Sequence, residues 1–513
     1  MIDVAPAECG ALYLDSRTIL TTSQRLLAHS RSGRHDVVGK TYNSPVVVSG
    51  VGDDAYLGRK RREIALIADC LTTRPEIAPV SSAAAAIETK FRLAGALRAE
   101  RSLQSWAITE TARPDTQHWR SGAYQFSFGY QRADLEVEGP LIYDAIGAAG
   151  AGVRQKTVYT GSGMSAIAAV VVALLRVRGG VRVQAARGCY GETRELLDSL
   201  RGQVAIIPLS SRAATVDPSP DTARVLLIDS CVSRGFDDYR TLSAGDIDVV
   251  LFDTTCFWQR SARIRRVVEW ALDARLPIVL VRSHAKLDSL GIEYGRLGSV
   301  VFAWRASQRA SRALATLVRA TEDSVRLYGV AAIPAHFPPF TGTDAYRQCS
   351  AARTAAILRS TRRMVQGLSA RLGGSRTVRE FQHALYLALA PGKELALGDV
   401  KRAAGALCDA LGRQGLPVKH AGSFGFDFVA VEWFFDAILR RNVIRIAGAD
   451  LPASVIDRII DAIVAWWSQH RMGTLPKIAA PVAATTETAP SDLLGLRCNR
   501  QEPRSRAGRN ADS

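Results

Sequence analysis

The middle of the chain consists of short apolar runs separated by segments with helical character. Between residues 116 and 340 the apolar runs predict β-strands, and the segments between them predict helices. The predicted strands are 157–160, 181–185, 204–208, 225–228, 249–252 and 278–281, and the predicted helices are 165–176, 191–200 and 263–274. Short strands that alternate with helices are typical of an α/β fold, in which helices cover both faces of a mostly parallel sheet.

The regions on either side of this large domain have different patterns. Residues 1–115 form an N-terminal extension with predicted helices at 61–71 and 83–101 and no chemical motif. Residues 341–473 are predicted to form a smaller C-terminal α+β domain, whose predicted elements are a long helix at 345–372, strands at 384–389 and 443–447, and an amphipathic helix at 453–467. The Pro-, Ala-, Thr- and Arg-rich residues 474–513 predict a disordered tail.

Composition places the chain among ordinary globular proteins. It has 513 residues, of which 47% are hydrophobic and 22% are charged. The longest apolar run, 166–175, is too short to cross a bilayer, and no basic segment precedes an apolar core near Met1, so a cytoplasmic protein without membrane contact is expected. The eight cysteines form no C-x-x-C pair, which favours neither a metal site nor a disulfide framework.

The formal net charge of +17 raises the question of nucleic-acid binding. Arginines are spread along the whole chain, and one tight cluster occupies residues 59–62. Such a cluster is typical of a solvated helix face, so a nucleic-acid partner is not expected.

Candidate chemistry lies at the ends of the predicted strands. Asp253 ends the run 249–252, whereas Ser283 and Lys286 follow the run 278–281. Ligands of open α/β sheets bind at the carboxyl ends of the strands, so these side chains are expected near a ligand. An acid and a lysine at these places suit an enzyme that binds pyridoxal phosphate (PLP), because the lysine can form a Schiff base and the acid can pair with the pyridinium nitrogen.

Four other segments have weaker signals. The turn 160–164, between a strand and a helix, suits a phosphate group or is an ordinary glycine-rich turn. Tyr190, flanked by glycines, can stack on a flat cofactor or lie in a surface turn. Tyr130 and Arg132 lie two residues apart in an extended segment, point the same way and can both donate to a phosphate. Arg445 interrupts an apolar strand, and its anionic partner is a substrate carboxylate or a structural acid.

Taken in order, these segments resemble the Cys/Met-metabolism family of PLP enzymes, which includes cystathionine synthases and lyases, methionine γ-lyase and acylhomoserine sulfhydrylases. The family's motifs are Tyr-x-Arg, Ser-Gly-Met, Tyr-Gly-x-Thr, Asp-x-Thr, Ser-x-x-Lys, Ser-x-Gly and a late arginine strand. Their counterparts here are Tyr130 with Arg132, Ser162-Gly163-Met164, Tyr190 to Thr193, Asp253 to Thr255, Ser283 to Lys286, Ser423 to Gly425, and Arg445.

The chain departs from this pattern after Arg132 and around Lys286, so it resembles a divergent member of the family. Ala285 stands where the family usually has threonine, and residues 287–292 replace the family's Tyr-x-x-Gly-His-Ser. Residues 133–135 replace Asn-Pro-Thr. Residues of the substrate pocket lie in these loops, so the substrate and the bond that is broken stay open.

The resemblance implies the PLP-dependent transferase fold type I and a role for each matching residue. Lys286 would hold the cofactor and remove the substrate's α-proton, while Asp253 pairs with the ring nitrogen and Tyr190 stacks on the ring and assists a leaving group. The remaining cofactor contacts would come from Ser162, Gly163, Met164, Thr255 and Ser283, with Tyr130 and Arg132 reaching in from a neighbouring subunit. Arg445 and Ser423 would bind the substrate carboxylate, and the active unit would be a homodimer or homotetramer.

The expected reaction is therefore elimination or replacement at Cβ or Cγ of an amino acid. An aminotransferase or decarboxylase of the same fold is an alternative. A second alternative is a regulatory protein without catalysis that binds PLP or uses its basic surface for nucleic acid. The N-terminal extension leaves room for such a role, but it contains no clear helix-turn-helix, and the catalytic positions are all present.

Overall fold

The computed structural model describes residues 51–109, 118–128, 135–139, 152–186, 188–209, 221–232, 235–305, 311–374 and 377–470. The helices in these ranges are α1 (Val51–Ala68), α2 (Ala83–Thr109), α3 (Gly163–Arg178), α4 (Gly191–Ser199), α5 (Ala262–Asp273), α6 (Ser311–Leu327), α7 (Asp344–Leu372), α8 (Leu397–Arg413) and α9 (Ala453–Gln469). The strands are β1 (His118–Ser121), β2 (Tyr124–Phe128), β3 (Leu135–Glu138), β4 (Val153–Thr160), β5 (Gly180–Ala185), β6 (Val204–Pro208), β7 (Thr222–Asp229), β8 (Val249–Asp253), β9 (Ile278–Ser283), β10 (Gly298–Arg305), β11 (Val378–Glu380), β12 (Tyr386–Leu389), β13 (Val418–His420), β14 (Val429–Asp436) and β15 (Arg441–Ala447).

The large sheet has the strand order β4-β10-β9-β8-β7-β5-β6. β10 is antiparallel to both of its neighbours, whereas the other strands run parallel to one another. The predicted strands and helices of this region occur within a few residues of their predicted ends, and the predicted α/β fold with a large, mostly parallel sheet is confirmed. The sequence prediction lacks β10 and α6, although residues 300–303 form an apolar run like those of the predicted strands.

Alternate residues of the central strands point to opposite faces of this sheet. Leu227 and Leu251 pack on one face with residues of α3, α4 and α6. Their neighbours Leu226 and Val250 pack on the other face with residues of α5. Because helices cover both faces of the sheet, the central strands are continuous apolar runs in the sequence. Polar side chains that can do chemistry therefore lie at the strand ends.

The second sheet has the order β11-β12-β15-β14-β13 and lies in the C-terminal part of the chain. One hydrophobic core joins it to α7, α8 and α9, and the same core contains residues of α1 and α2, such as Ile64 and Leu97. The two N-terminal helices therefore pack as part of the C-terminal α+β unit. The short strands β11 and β13, together with β14 and α8, are absent from the sequence prediction because their apolar runs are brief or mixed with charges.

Among the described residues, no helix is both long and apolar enough to span a bilayer. α3 contains the longest apolar run of the sequence but has 16 residues, fewer than the ~20 that a spanning helix needs. The predicted tail, 474–513, lies outside the described residues.

Candidate cofactor site

Two buried aspartates end neighbouring strands of the large sheet. Asp229 at the end of β7 pairs in register with Asp253 at the end of β8. The Asp229 carboxylate accepts the backbone N–H groups of Tyr190 at 2.6 Å and Cys231 at 2.7 Å, and that of Asp253 accepts the N–H of Thr255 at 2.8 Å. Burial raises the pKa of both acids, and the charge of Asp253 raises that of Asp229 further. The pair therefore favours a bound proton or a cationic ligand group over two free charges.

The N-terminus of α3 lies against the last residue of β9. Ser162 caps this helix, and its hydroxyl accepts the N–H of Ser165 at 3.0 Å. The N–H groups of Gly163 and Met164 precede the first intrahelical bond and lie where a helix attracts anions. A Cβ atom at Gly163 would lie 3.0 Å from the Ser283 Cβ, so only glycine fits this approach without a shift. These residues have the chemistry of a phosphate cradle.

Thr255 connects the cradle to the acid pair. The Ser283 N–H donates to the Thr255 hydroxyl at 3.1 Å, and the Thr255 N–H donates to Asp253. Ser283 in turn contacts Gly163. The predicted phosphate-binding residues and the predicted ring-nitrogen partner thus belong to one chain of contacts along the same edge of the sheet.

Lys286 projects from the loop after β9 and is partly exposed, with 26% of its side chain accessible. Its Nζ donates to the Ser423 hydroxyl at 2.6 Å and lies 3.7 Å from Glu293 Oε1. Gly425 has φ +88°, and a Cβ there would lie 3.1 Å from the Lys286 carbonyl oxygen. The segment from Ser423 to Gly425 therefore packs against Lys286. The resemblance had implied only a contact of Ser423 with the substrate carboxylate.

Tyr190, directly before α4, and Arg445, on β15, reach the same region. Burial raises the pKa of Tyr190, and the charge of Arg445 is close enough to oppose that shift. Arg445 donates to Glu432 at 2.5 Å and lies over the Tyr386 ring at 5.2 Å. The structure thus contains the structural acid that was one of the two predicted partners of Arg445. A substrate carboxylate could use only its remaining donors, or would have to displace Glu432.

Several polar residues of this region have no role in the sequence prediction. The Cys231 thiol lies 2.8 Å from the Tyr386 hydroxyl, and Cys231, Cys256 and His383 offer buried ligand atoms within 4.8 Å of one another. The His383 Nδ1 accepts the N–H of Leu385 at 3.0 Å, so its Nε2 carries the proton. Contact with Cys231 and burial raise the pKa of Cys256, which keeps that thiol protonated.

The turn that carries Lys286 rests on a buried ion pair. Arg282 donates to the Asp288 carboxylate at 2.6 and 2.8 Å and to the Thr254 carbonyl at 2.6 Å. His284 Nδ1 lies 2.8 Å from the same carboxylate, and its Nε2 lies 2.9 Å from the Ser299 hydroxyl. Burial favours a raised pKa for Asp288, but Arg282 and His284 hold it well below its usual range. Both ends of the Lys286 turn are therefore anchored to the sheet.

Some of these residues had a usable sequence signal and others had none. Asp229 follows a predicted strand just as Asp253 does, so the same reasoning would have found it. Glu432 and Tyr386 lie far from the motifs in sequence and gave no signal. The predicted pair Tyr130 and Arg132 lies outside the described residues.

Comparison with known proteins gives matches in structure alone. No protein-family model and no curated protein matches the chain. An O-acetylhomoserine (thiol)-lyase of Campylobacter jejuni, whose structure contains a pyridoxyl-lysine, is 13% identical, with 60% of this chain and 81% of that chain covered and a TM-score of 0.45. A cystathionine γ-synthase of Xanthomonas oryzae is 15% identical, with 72% and 98% covered and a TM-score of 0.43. A methionine γ-lyase of Micromonospora echinospora is 18% identical, with 60% and 81% covered and a TM-score of 0.41. At these low TM-scores and identities, the likenesses carry no argument about the chemistry of this chain.

Proposed function

We propose that this chain is a PLP-dependent enzyme that acts on an amino acid, with Lys286 as the residue that holds the cofactor. The observation that carries the proposal is the acid pair Asp229 and Asp253, buried with raised pKa values at the edge of the sheet that also bears the phosphate cradle. A protonated pyridine ring supplies the cation that such a pair favours.

The residues fit PLP at both ends of the cofactor. The N–H groups of Gly163 and Met164, with the hydroxyls of Ser162 and Ser283, suit its phosphate. Asp253 suits its ring nitrogen, since one carboxylate oxygen is already held by Thr255. When bound, PLP supplies an electron sink for negative charge that forms at the substrate Cα.

Lys286 is the proposed base that moves the proton of the substrate Cα. A base must be oriented towards the proton that it takes, and the Ser423 hydroxyl at 2.6 Å orients the Lys286 amine. The anchored turn between Arg282 and Asp288 limits its backbone freedom. Tyr190 is the proposed donor of a proton to a leaving group, because its raised pKa keeps the hydroxyl protonated.

Arg445 is the proposed partner of the substrate carboxylate, together with Ser423. A bound carboxylate fixes which bond of the substrate Cα lies perpendicular to the cofactor ring. Glu432 competes for the same guanidinium, so substrate binding costs at least part of this ion pair. The proposed reaction is elimination or replacement at Cβ or Cγ.

The first experiment is the visible absorption spectrum of the protein after incubation with PLP, followed by borohydride reduction and peptide mapping. We expect a band that reduction removes, with the pyridoxyl label on Lys286. The Lys286→Ala protein should lose band and label, whereas Lys401→Ala, at an exposed position of α8, should keep both. A label on a different lysine, or a protein that stays colourless with PLP, would contradict the proposal.

A product assay tests the bond type. O-acylated and thioether amino acids should release a ketoacid or exchange their side-chain substituent. Formation of pyridoxamine phosphate or carbon dioxide instead would make the protein an aminotransferase or a decarboxylase.

A mixing experiment tests the proposed sharing of sites between subunits. Arg132→Ala should weaken PLP retention, and mixing it with Lys286→Ala protein should restore hybrid sites, each with Lys286 from the Arg132→Ala subunit and Arg132 from the Lys286→Ala subunit. If the mixture gains no activity above its parts, Tyr130 and Arg132 do not act across subunits.

A further inference from the structure

The N-terminal helices bring two lysines into a buried network of charges. Its fully enclosed members are three cations and three acids: Lys60, Lys90 and Arg353, with Glu63, Asp427 and Asp450. The partly exposed Arg59 also binds Asp450 at 2.6 Å. Lys60 comes from α1, Lys90 from α2 and Arg353 from α7. The prediction of a solvated helix face for residues 59–62 is wrong for Lys60, which is fully buried, whereas Arg61 and Arg62 are exposed. Each of these buried charges has an opposite partner in contact, so the chain itself compensates them and removal of one partner would leave an uncompensated buried charge.

Two of these cations also bind backbone carbonyls of the loops beside Lys286. Lys90 Nζ donates to the Leu290 carbonyl at 2.7 Å, and Arg353 Nη2 donates to the Gly425 carbonyl at 2.6 Å. Gly291 has φ +84° and has no room for a Cβ beside the Arg353 guanidinium. The network therefore sets the path of residues 287–291 and of the segment around Gly425.

One of these loops follows Lys286 and the other contains Ser423, so together they hold the two partners of the Lys286–Ser423 hydrogen bond. Leu290 belongs to the turn that follows Lys286, and Gly425 follows Ser423, which accepts the hydrogen bond of the lysine. The donors of Lys90 are all used, by Glu63, Asp427 and the Leu290 carbonyl, so its ammonium group has a single orientation.

We propose that α1 and α2 are part of the active-site structure, and that Lys90 is a positioning residue that holds the loop after Lys286 in place. The part of this proposal that concerns the active site rests on the proposed function. The contact of Lys90 with the Leu290 carbonyl, called the clamp below, concerns only loops of this chain. It gives the N-terminal extension a role that its sequence does not reveal.

Hydrogen exchange of the full chain, measured by mass spectrometry without added PLP, tests the clamp. Lys90→Met leaves buried acids without a partner and risks misfolding, so the main variant is the charge-balanced pair Glu63→Gln with Lys90→Gln. We expect exchange in residues 286–294 to accelerate about tenfold or more, because the loop opens locally without global unfolding. The matched control is Glu63→Gln with Lys60→Gln, which removes an equally buried pair of the same network but no contact to Leu290.

Equal exchange of residues 286–294 in the two double variants would overturn the proposal, as would unchanged exchange in the Lys90 variant. Borohydride labelling of Lys286 with PLP is a separate readout on the same proteins. If the wild-type protein takes no label, the proposed function fails while the exchange result still decides the clamp. If it is labelled, the Lys90 variant should bind PLP more weakly than the Lys60 control, and equal affinities would contradict the proposal that α1 and α2 are part of the active-site structure.

Discussion

Two groups of buried charges in this protein differ in whether they are balanced. The fully buried members of the network of Lys60, Lys90 and Arg353 are as many acids as cations, and each charge touches an opposite one. The partly exposed Arg59 adds a further contact to Asp450. Asp229 and Asp253 are like charges on adjacent strands, and their closest donors are mostly backbone N–H groups. The first group is complete in the folded chain, whereas the second raises the free energy of the folded chain until a proton or cation joins it.

This difference separates structural from functional use of buried charge. A balanced network orders the elements that supply it, here three helices and two loops. An unbalanced pair lowers stability, and a folded protein retains it where a ligand compensates the cost. Substitutions in the two groups should therefore change stability in opposite directions.

The largest effect is expected from Asp427→Asn. The Asp427 carboxylate contacts Lys60, Lys90 and Arg353, and its neutralisation leaves a buried positive charge without compensation. We expect the free energy of unfolding to fall by about 3–5 kcal/mol. Denaturant unfolding followed by circular dichroism measures this change.

The control for Asp427→Asn is Asp457→Asn, which removes an exposed ion pair with Arg363. Its effect should stay within about 0.5 kcal/mol. Similar losses in both proteins would mean that the buried network is no more important to stability than a surface pair.

A smaller effect of opposite sign is expected from Asp253→Asn. Removing the charge of Asp253 relieves the repulsion that raises the pKa of Asp229. We expect the protein without cofactor to gain on the order of 1 kcal/mol of unfolding free energy near neutral pH. The same variant should lose PLP retention, which equilibrium dialysis measures.

The pH dependence of this gain has a definite sign. With raised pKa values, the folded wild-type protein binds more protons than the unfolded chain above the ordinary aspartate pKa of about 4. Its stability therefore falls as the pH rises towards neutrality, and the variant should lose less. A stability difference that shrinks from pH 5 to pH 7.5 would contradict the like-charge interpretation.

The smallest effect is expected from Glu432→Gln, which tests whether a balanced pair can also serve a substrate. Neutralising Glu432 leaves Arg445 with a weaker competitor for the substrate carboxylate. We expect KM to fall about threefold with little change in kcat. A rise in KM would mean instead that Glu432 holds Arg445 in its binding position.

The candidate site was predictable from the sequence where a single strand end carries the chemistry. Asp253, Ser283 and Lys286 each follow an apolar run, and local pattern suffices to find them. The contact partners of these and the other site residues could not be predicted from local sequence. The hydrogen-bond partner of Lys286 is Ser423, which lies 137 residues away in the chain. The acid beside Arg445 is Glu432, because β14 and β15 pair in antiparallel register.

The sequence by itself determined most strands and helices around the large sheet, the α/β class and the residues at the strand ends, because apolar periodicity and turn residues act over short distances. Tertiary structure alone decided the insertion of the antiparallel β10, the pairing of Asp229 with Asp253 and the attachment of α1 and α2 to the C-terminal core. Lys90 meets a carbonyl 200 residues away. Such contacts depend on strand register and on the packing of distant elements, which no local pattern encodes.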